Sequence, residues 1–288
     1  MKKILSLLLL AFLALPSFAQ EEEEDYPVGY TFETSILVDN QTVMTPYKGM
    51  IEFEIHHRFD KITNGSKTLF GVYSPANIRL GINYGVTDKA MLAFGVTKDY
   101  SMWDFAAKYA ILQQTESGSM PVSMSFYGNV GVEARSDDNF GPPEEFKITH
   151  KLSYFSQLIV ARKFADAFSM QLAPTLIWFN AVESGYNNIN FGLHAGAKLT
   201  FAPSHAIIFE YDQLFTNPDT DYDGDGEENF DQTKPQLAIG WEKGTATHAF
   251  QLFFANYKGI LGQRNFVYNK NDFTAGEFLV GLNVTVRF

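Results

Sequence analysis

From residue 49 to the C-terminus, apolar and polar side chains change places at almost every step. The clearest run sets Ile78, Leu80, Ile82, Tyr84 and Val86 against Asn77, Arg79, Gly81, Asn83 and Gly85. Successive side chains of a strand point to opposite faces, so this run has one greasy face and one polar or small face. The pattern recurs. Ile51, Phe53, Ile55 and Phe59 oppose Glu52, Glu54, His56 and Arg58, and Trp103, Phe105, Tyr109 and Ile111 oppose Asp104 and Lys108. Further on, Ile189, Phe191, Leu193, Leu199 and Phe201 oppose Asn190, His194 and Lys198. Segments of about ten alternating residues between turn signals are what a barrel wall in lipid requires.

The pattern predicts an all-β fold: a transmembrane up-and-down antiparallel β-barrel of about twelve strands. The predicted strands are 49–59, 76–87, 90–99, 102–113, 121–134, 149–163, 168–180, 189–202, 205–216, 235–244, 247–257 and 277–288. With a periplasmic N-terminus, the short turns near Asp88, Asp166, Pro203 and Gly244 fall inside. The longer stretches 60–75, 135–148, 181–188, 217–234 and 258–276 fall outside, as such barrels arrange them. Two connections fit less well: the one near Tyr100 is short for an outside loop, and 114–120 is long for an inside turn. The last strand ends on Phe288, with Phe278, Val280, Leu282, Val284 and Val286 on its face. A terminal strand closing on an aromatic resembles the signal read by the barrel-assembly machinery, although Asn283 stands where a glycine is often found.

The start of the chain has a different character. Lys2 and Lys3 precede an apolar run from Ile4 to Leu15, then Pro16 and the small-x-small triplet Ser17-Phe18-Ala19. This reads as a secretory signal peptide over residues 1–19, cut before Gln20. The run falls short of the roughly 18 to 20 residues that a spanning helix needs. Residues 20–48 then form a periplasmic or plug segment, and 49–288 the barrel.

Composition narrows the function. There is no cysteine, which excludes disulfides, thiolate chemistry and a lipid-modified cysteine. The formal net charge is −11, and losing Lys2 and Lys3 leaves 20 basic against 33 acidic residues, or −13. Such a balance argues against nucleic acid as a partner. Aromatics reach 15% in a chain whose mean hydropathy is only −0.12, and no convincing amphipathic helix is found.

Several stretches bear a family resemblance: Phe53-Glu54-Ile55-His56-His57-Arg58-Phe59, Asn77-Ile78-Arg79-Leu80-Gly81, Tyr84-Gly85-Val86-Thr87-Asp88, Met120-Pro121-Val122-Ser123, Leu158-Ile159-Val160-Ala161-Arg162-Lys163-Phe164 and Leu172-Ala173-Pro174-Thr175-Leu176. In these the chain resembles a family of Gram-negative outer-membrane barrels, a membrane-bound β-barrel domain of unknown function. Where that family favours glycine after His-Arg-Phe, this chain has Asp60. The resemblance implies no catalytic or binding residues.

The residues themselves offer some candidates. Asp219 to Glu228 looks like a calcium loop, with Asp221, Asp223 and Asp225 as ligands, because hard cations want several carboxylates around a glycine-permitted turn. The bidentate glutamate is missing, since the twelfth position is Phe230 or Gln232, so a solvated acidic loop is the other reading and no cofactor is otherwise expected. His56 and His57 face opposite sides of a strand and cannot share one ion. A lipolytic enzyme would need Ser156 and His57 within hydrogen-bond reach, yet these fall on strands that are not neighbours, and an enzyme is not expected. The inward register collects Glu52, Glu54, His56, Arg58, Arg79, Asp104, Lys108, His194, Lys198, Glu210, Asp212 and Glu242, together with Glu133 and Arg287. These groups either line a solute-selective pore or fill a closed interior with ion pairs.

Two features of that register pull in opposite directions. Gly81, Gly85, Ala93, Gly95, Gly131, Gly192 and Gly196 suggest room near the axis. Phe155, Ile159, Ile177, Phe179 and Phe253 need cover from water, which Phe32, Ile36, Leu37 and Val38 would supply if the N-terminal segment entered the barrel. The leading expectation is a partly plugged passive channel for small solutes. The alternative is a non-conducting structural or surface-binding barrel acting through its outside loops. Expected partners are outer-membrane lipid and, during biogenesis, the barrel-assembly machinery.

Overall fold

In a computed structural model, which describes residues 25–288, the alternating segments close into one antiparallel barrel. Its strands are β1 (Ile51–Lys61), β2 (Asn77–Thr87), β3 (Ala90–Thr97), β4 (Met102–Leu112), β5 (Ser123–Glu133) and β6 (Leu152–Ala165). They continue as β7 (Phe168–Phe179), β8 (Ile189–Ala202), β9 (His205–Leu214), β10 (Gln236–Gly244), β11 (His248–Ala255) and β12 (Leu279–Arg287). Each pairs with its sequence neighbours. The first and last then close the circle in a register running from Glu52↔Arg287 to Arg58↔Gly281. The C-terminal residue seals the seam, as Ile51 N–H donates to the Phe288 carbonyl at 3.1 Å and Phe288 N–H donates to the Ile51 carbonyl at 2.9 Å. The observed strands match the predicted ones with ends trimmed or moved by a few residues. The signal-peptide reading lies outside the described residues.

The outer surface is apolar. Leu80, Ile82, Trp103, Phe105, Phe191, Phe201, Leu252 and Phe254 all stand exposed on it. In water so large a belt would be an aggregation surface. In lipid it is solvated, and closure leaves no unpaired sheet edge in the hydrocarbon. Strand lengths of 8 to 14 residues bracket the roughly 9 to 11 that a tilted span requires.

Short connections gather at one end, here the turn end, with the long ones at the other, the loop end. Two connections depart from this: the one between β3 and β4 is short at the loop end, and the one between β4 and β5 is long at the turn end; the second has a reason. Residues 25–28 lie against it: Val28 N–H donates to the Gln114 carbonyl and Glu116 N–H to the Tyr26 carbonyl, both at 2.9 Å. This long turn is the edge over which the N-terminal segment climbs into the barrel.

Inside, residues 34–43 form a hairpin, with Leu37 N–H on the Asn40 carbonyl and Thr42 N–H on the Ser35 carbonyl, each at 2.9 Å. Phe32, Leu37, Val38 and Val43 are buried with Phe155, Ile159, Ile177, Phe179 and Phe253. The 258–276 connection departs from its expected place as an outside loop. Its short helix α1 (Gly262–Tyr268) dips into the loop end of the lumen, where Phe266 meets Phe155 at 5.9 Å between ring centroids and Tyr268 meets Phe179 at 5.6 Å.

The inward glycines therefore do not mark an open path. A side chain at Gly196 would strike Leu37 of the hairpin, one at Gly192 would strike Phe266, and one at Gly81 or Gly95 would strike the Arg79 guanidinium. They make room for what fills the barrel.

Candidate functional site

The interior is filled by side chains and charged, so its chemistry is decided by how each buried ion is paired. Taking an ion out of water costs several kcal/mol even after relaxation. Among the expected lumen residues, Glu52, Glu54, His56, Arg58, Arg79, Asp104, Lys108, His194, Glu210, Asp212 and Glu242 are buried in the interior, and Lys198 is half-buried toward the turn end.

Some pairs are made within the wall. Arg79 donates from Nε and Nη2 to both oxygens of Asp104, at 2.9 and 2.7 Å, and from Nη1 to Glu54 at 3.0 Å. His194 Nδ1 meets Asp212 Oδ1 at 2.7 Å, and its Nε2 lies 2.9 Å from Gln171. Gln251 donates to Glu242 at 2.9 Å.

The rest depend on the hairpin. Lys108 places its ammonium on three oxygens of that segment: the Ser35 carbonyl at 3.0 Å, Gln41 Oε1 at 2.9 Å and the Thr42 carbonyl at 3.1 Å. Glu210 does the converse, accepting from the amides of Val38 at 2.8 Å, Asp39 at 3.2 Å and Asn40 at 3.1 Å. Arg58 pairs with Asp39 at the hairpin tip and lies over the Phe253 ring, 4.5 Å from its centroid. Asn40 donates to Asp212 at 2.9 Å and accepts from Gln157 at 2.9 Å. Asn283 donates to the Val38 carbonyl at 2.7 Å. At the turn end Arg287 binds Glu33, just ahead of the hairpin, at 3.2 Å and Glu52 at 3.4 Å, while Ser35 donates to Glu52 at 2.5 Å.

Helix α1 caps this arrangement from the loop end. Arg264 pairs with Glu133 and stacks on Tyr100, 3.9 Å from the ring centroid. Gln263 donates to Asn129 at 3.0 Å, and Asn265 reaches down to Asp39 at 3.1 Å, so the two inserted segments touch. Between them remains a cavity of about 30 Å³ lined by His56, Arg79, Asp104 and Gln263, about the volume one water occupies in the liquid. Both ring nitrogens of His56 are without a partner there, and Glu54 Oε2 is 3.6 Å away. Neither Asp39, Tyr257 nor the α1 side chains figured among the expected site residues. Asp39 and α1 lie in segments whose pattern carries no period, whereas Tyr257, whose hydroxyl donates to Glu210 at 3.3 Å, stands at the end of the predicted strand 247–257, just past the observed end of β11.

The other candidates fall elsewhere. Asp221, Asp223 and Asp225 come together, their ligand atoms all within 4.8 Å of one another, in an exposed loop away from the lumen. His57 lies on the outer face against Phe59, 4.2 Å between ring centroids. Ser156 is on β6, five strands from β1, and its hydroxyl faces the Leu176 carbonyl at 3.5 Å. The two are not brought together.

A closed antiparallel sheet, apolar outside and charged within, defines a membrane-spanning β-barrel, here one whose lumen is filled by its own chain. The chain belongs to the family described as a membrane bound beta barrel domain (DUF5777), whose model matches residues 32–288. No curated protein matches it. Among solved structures it is similar to the NanC porin at 7% identity, covering 83% of this chain and 98% of that one, with a TM-score of 0.48. It is similar to the KdgM porin at 10% identity, covering 83% and 99%, with a TM-score of 0.49. A third is LpxR from Salmonella typhimurium, at 10% identity, 83% and 99% coverage, and a TM-score of 0.38.

Proposed function

We propose that this chain is an outer-membrane barrel, exported behind a cleaved signal peptide, that is closed to free diffusion at rest and passes small solutes only when its inserted segments withdraw. The basic-then-apolar start and the C-terminal strand ending in Phe288 support the compartment. One observation supports closure above all. The buried ions Lys108 and Glu210 take most of their hydrogen-bond partners from the hairpin, so an empty lumen would strand them.

Planar-bilayer recording of the mature chain tests this. The intact protein is expected to conduct little, and deleting Gln20 to Thr45 to raise single-channel conductance. Helix α1 still narrows the loop end, so replacing 259–270 by a Gly-Ser linker in the same variant is expected to raise it further. Large steady conductance in the intact protein would overturn closure. Silence in both variants, with the barrel folded, would favour a non-conducting structural or surface-binding barrel. That second reading draws on the way Arg264, Glu133 and Tyr100 tie the loop end into a fixed outer surface.

A further inference from the structure

At the turn end the outer face carries hydrogen-bond donors that the wall does not answer. Lys243, the penultimate residue of β10, lies on the outward register, since Glu242 is buried inside and a side chain at Gly244 would meet Glu33 of the N-terminal segment. It is half-buried and has no hydrogen-bond or ion-pair partner among the described residues. Among the same residues every carboxylate in the paired ladders faces the lumen, and the adjoining turns, 203–204 and 245–247, hold no acidic residue. A cation on the lipid face is costly at the bilayer midplane and nearly free at the interface. Trp241, on the same face of the strand, marks that level, because tryptophan concentrates where apolar chains give way to headgroups.

His205 of β9 stands directly across from Lys243, and opposed residues of an antiparallel pair hold their Cβ atoms about 4.5–5.5 Å apart. Trp241 Nε1–H donates to His205 Nδ1 at 3.1 Å. A ring nitrogen that accepts carries no proton, so in this neutral imidazole the proton is on Nε2. That N–H has no partner among the described residues. An ammonium and an N–H held by its neighbour thus share one spot on the rim, with no acceptor beside them, and two donors of which one is charged suit an oxyanion. Deeper in the belt, Ile207 and Leu252 flank Trp241 on either side and are exposed, an apolar surface continuous with the rest of the lipid face. A phospholipid supplies both parts, a phosphate at the level of the donors and acyl chains below it. The one charge at the site is positive, so a headgroup with its own ammonium gains less there than one whose net charge is negative.

We propose that Lys243 and His205 form a binding site for the phosphate of an anionic phospholipid in the leaflet at the turn end. The site stands whether or not the barrel conducts, because lipid binding is measured directly on the detergent-solubilised full mature chain. Native mass spectrometry compares phosphatidylglycerol with phosphatidylethanolamine of the same acyl chains, and the first is expected to bind about threefold tighter or more. Lys243→Gln is expected to weaken phosphatidylglycerol binding about tenfold and to abolish the preference, and Lys243→Arg to keep both. His205→Phe keeps a ring beside Trp241, removes the donor, and is expected to weaken binding about threefold or more. Lys89→Gln takes the same charge from an exposed lysine in another turn at the same end and is expected to change nothing. Inorganic phosphate in excess is expected not to displace the lipid, since it has no chains to lay on Ile207 and Leu252. Binding unweakened by Lys243→Gln or by His205→Phe, an equal loss in Lys89→Gln, or displacement by inorganic phosphate would each overturn the proposal.

Discussion

Glu210→Ala removes the carboxylate on which the hairpin tip rests. Its oxygens accept from three successive amides, Val38, Asp39 and Asn40, at 2.8 to 3.2 Å, and from the Tyr257 hydroxyl at 3.3 Å. Each buried donor left unpaired costs about 1–3 kcal/mol, so three amides set a gross loss of roughly 3–9 kcal/mol. Part of that is offset, because the variant no longer buries a charge beside Asp39 and Asp212, a penalty of several kcal/mol. The net expectation is about 3 kcal/mol against the seated hairpin, or roughly a hundredfold rise in its unseated population. Hydrogen exchange on the mature chain in nanodiscs reads this directly. Protection of the amides from Leu37 to Thr42 is expected to fall about a hundredfold while the strand amides keep theirs. Unchanged protection in the hairpin would refute the reasoning. So would a loss shared equally by the strands, which would place Glu210 in the stability of the wall rather than in the seat.

Gly196→Val puts methyl groups where Leu37 Cδ2 and His194 Nε2 stand 2.7 and 2.8 Å from the Cβ position. It is expected to cost about 1–3 kcal/mol by overpacking, seen as a lower urea midpoint that is recovered when Leu37→Ala is added. Epitope tags at Gly226 and at Gly244 test orientation, with the first expected to label on intact cells and the second only after permeabilisation. Labelling of the second alone would invert the barrel. The acidic loop is expected to bind calcium weakly or not at all, and calorimetry of the mature chain against a variant with Asp221, Asp223 and Asp225 changed to Asn checks this. A micromolar affinity lost in that variant would establish a site.

The wall was legible because period two is enforced along every strand by lipid on one side and a polar interior on the other. Ile78 to Val86 and Ile189 to Phe201 show it without help from any neighbour. Entry of the N-terminal segment was legible only indirectly, through Phe155, Ile159, Ile177, Phe179 and Phe253, apolar residues on an inward register that asked for cover. The glycines were misleading because an absent side chain records that space is needed but not what takes it. At Gly192 it is Phe266, more than 70 positions away in the chain. Helix α1 could not be read at all: seven residues make two turns, too few for a periodicity to emerge. Its N-terminal end has no side-chain cap to announce it, and it is held by the lumen rather than by its own propensity. Lys108 and Glu210 were recognisable as inward charges, but most of their partners are backbone groups of the hairpin, and backbone hydrogen bonding leaves no mark on residue identity; Arg58 finds the Asp39 carboxylate, in a segment with no period to place it.

The seat of the hairpin tip has a bearing on how the molecule is assembled. It is built by Arg58 of β1, Gln157 of β6, Glu210 and Asp212 of β9, and Asn283 of β12, residues that converge only once the first and last strands have met. The bond from Asn283 to the Val38 carbonyl spans 245 positions. A segment that precedes every strand of the wall is thus one that can dock only at the finish, and no partly zipped sheet offers it a complete berth. A docked hairpin is in this sense a receipt for a finished ring, and a chain truncated before β12 would leave the hairpin with an incomplete seat.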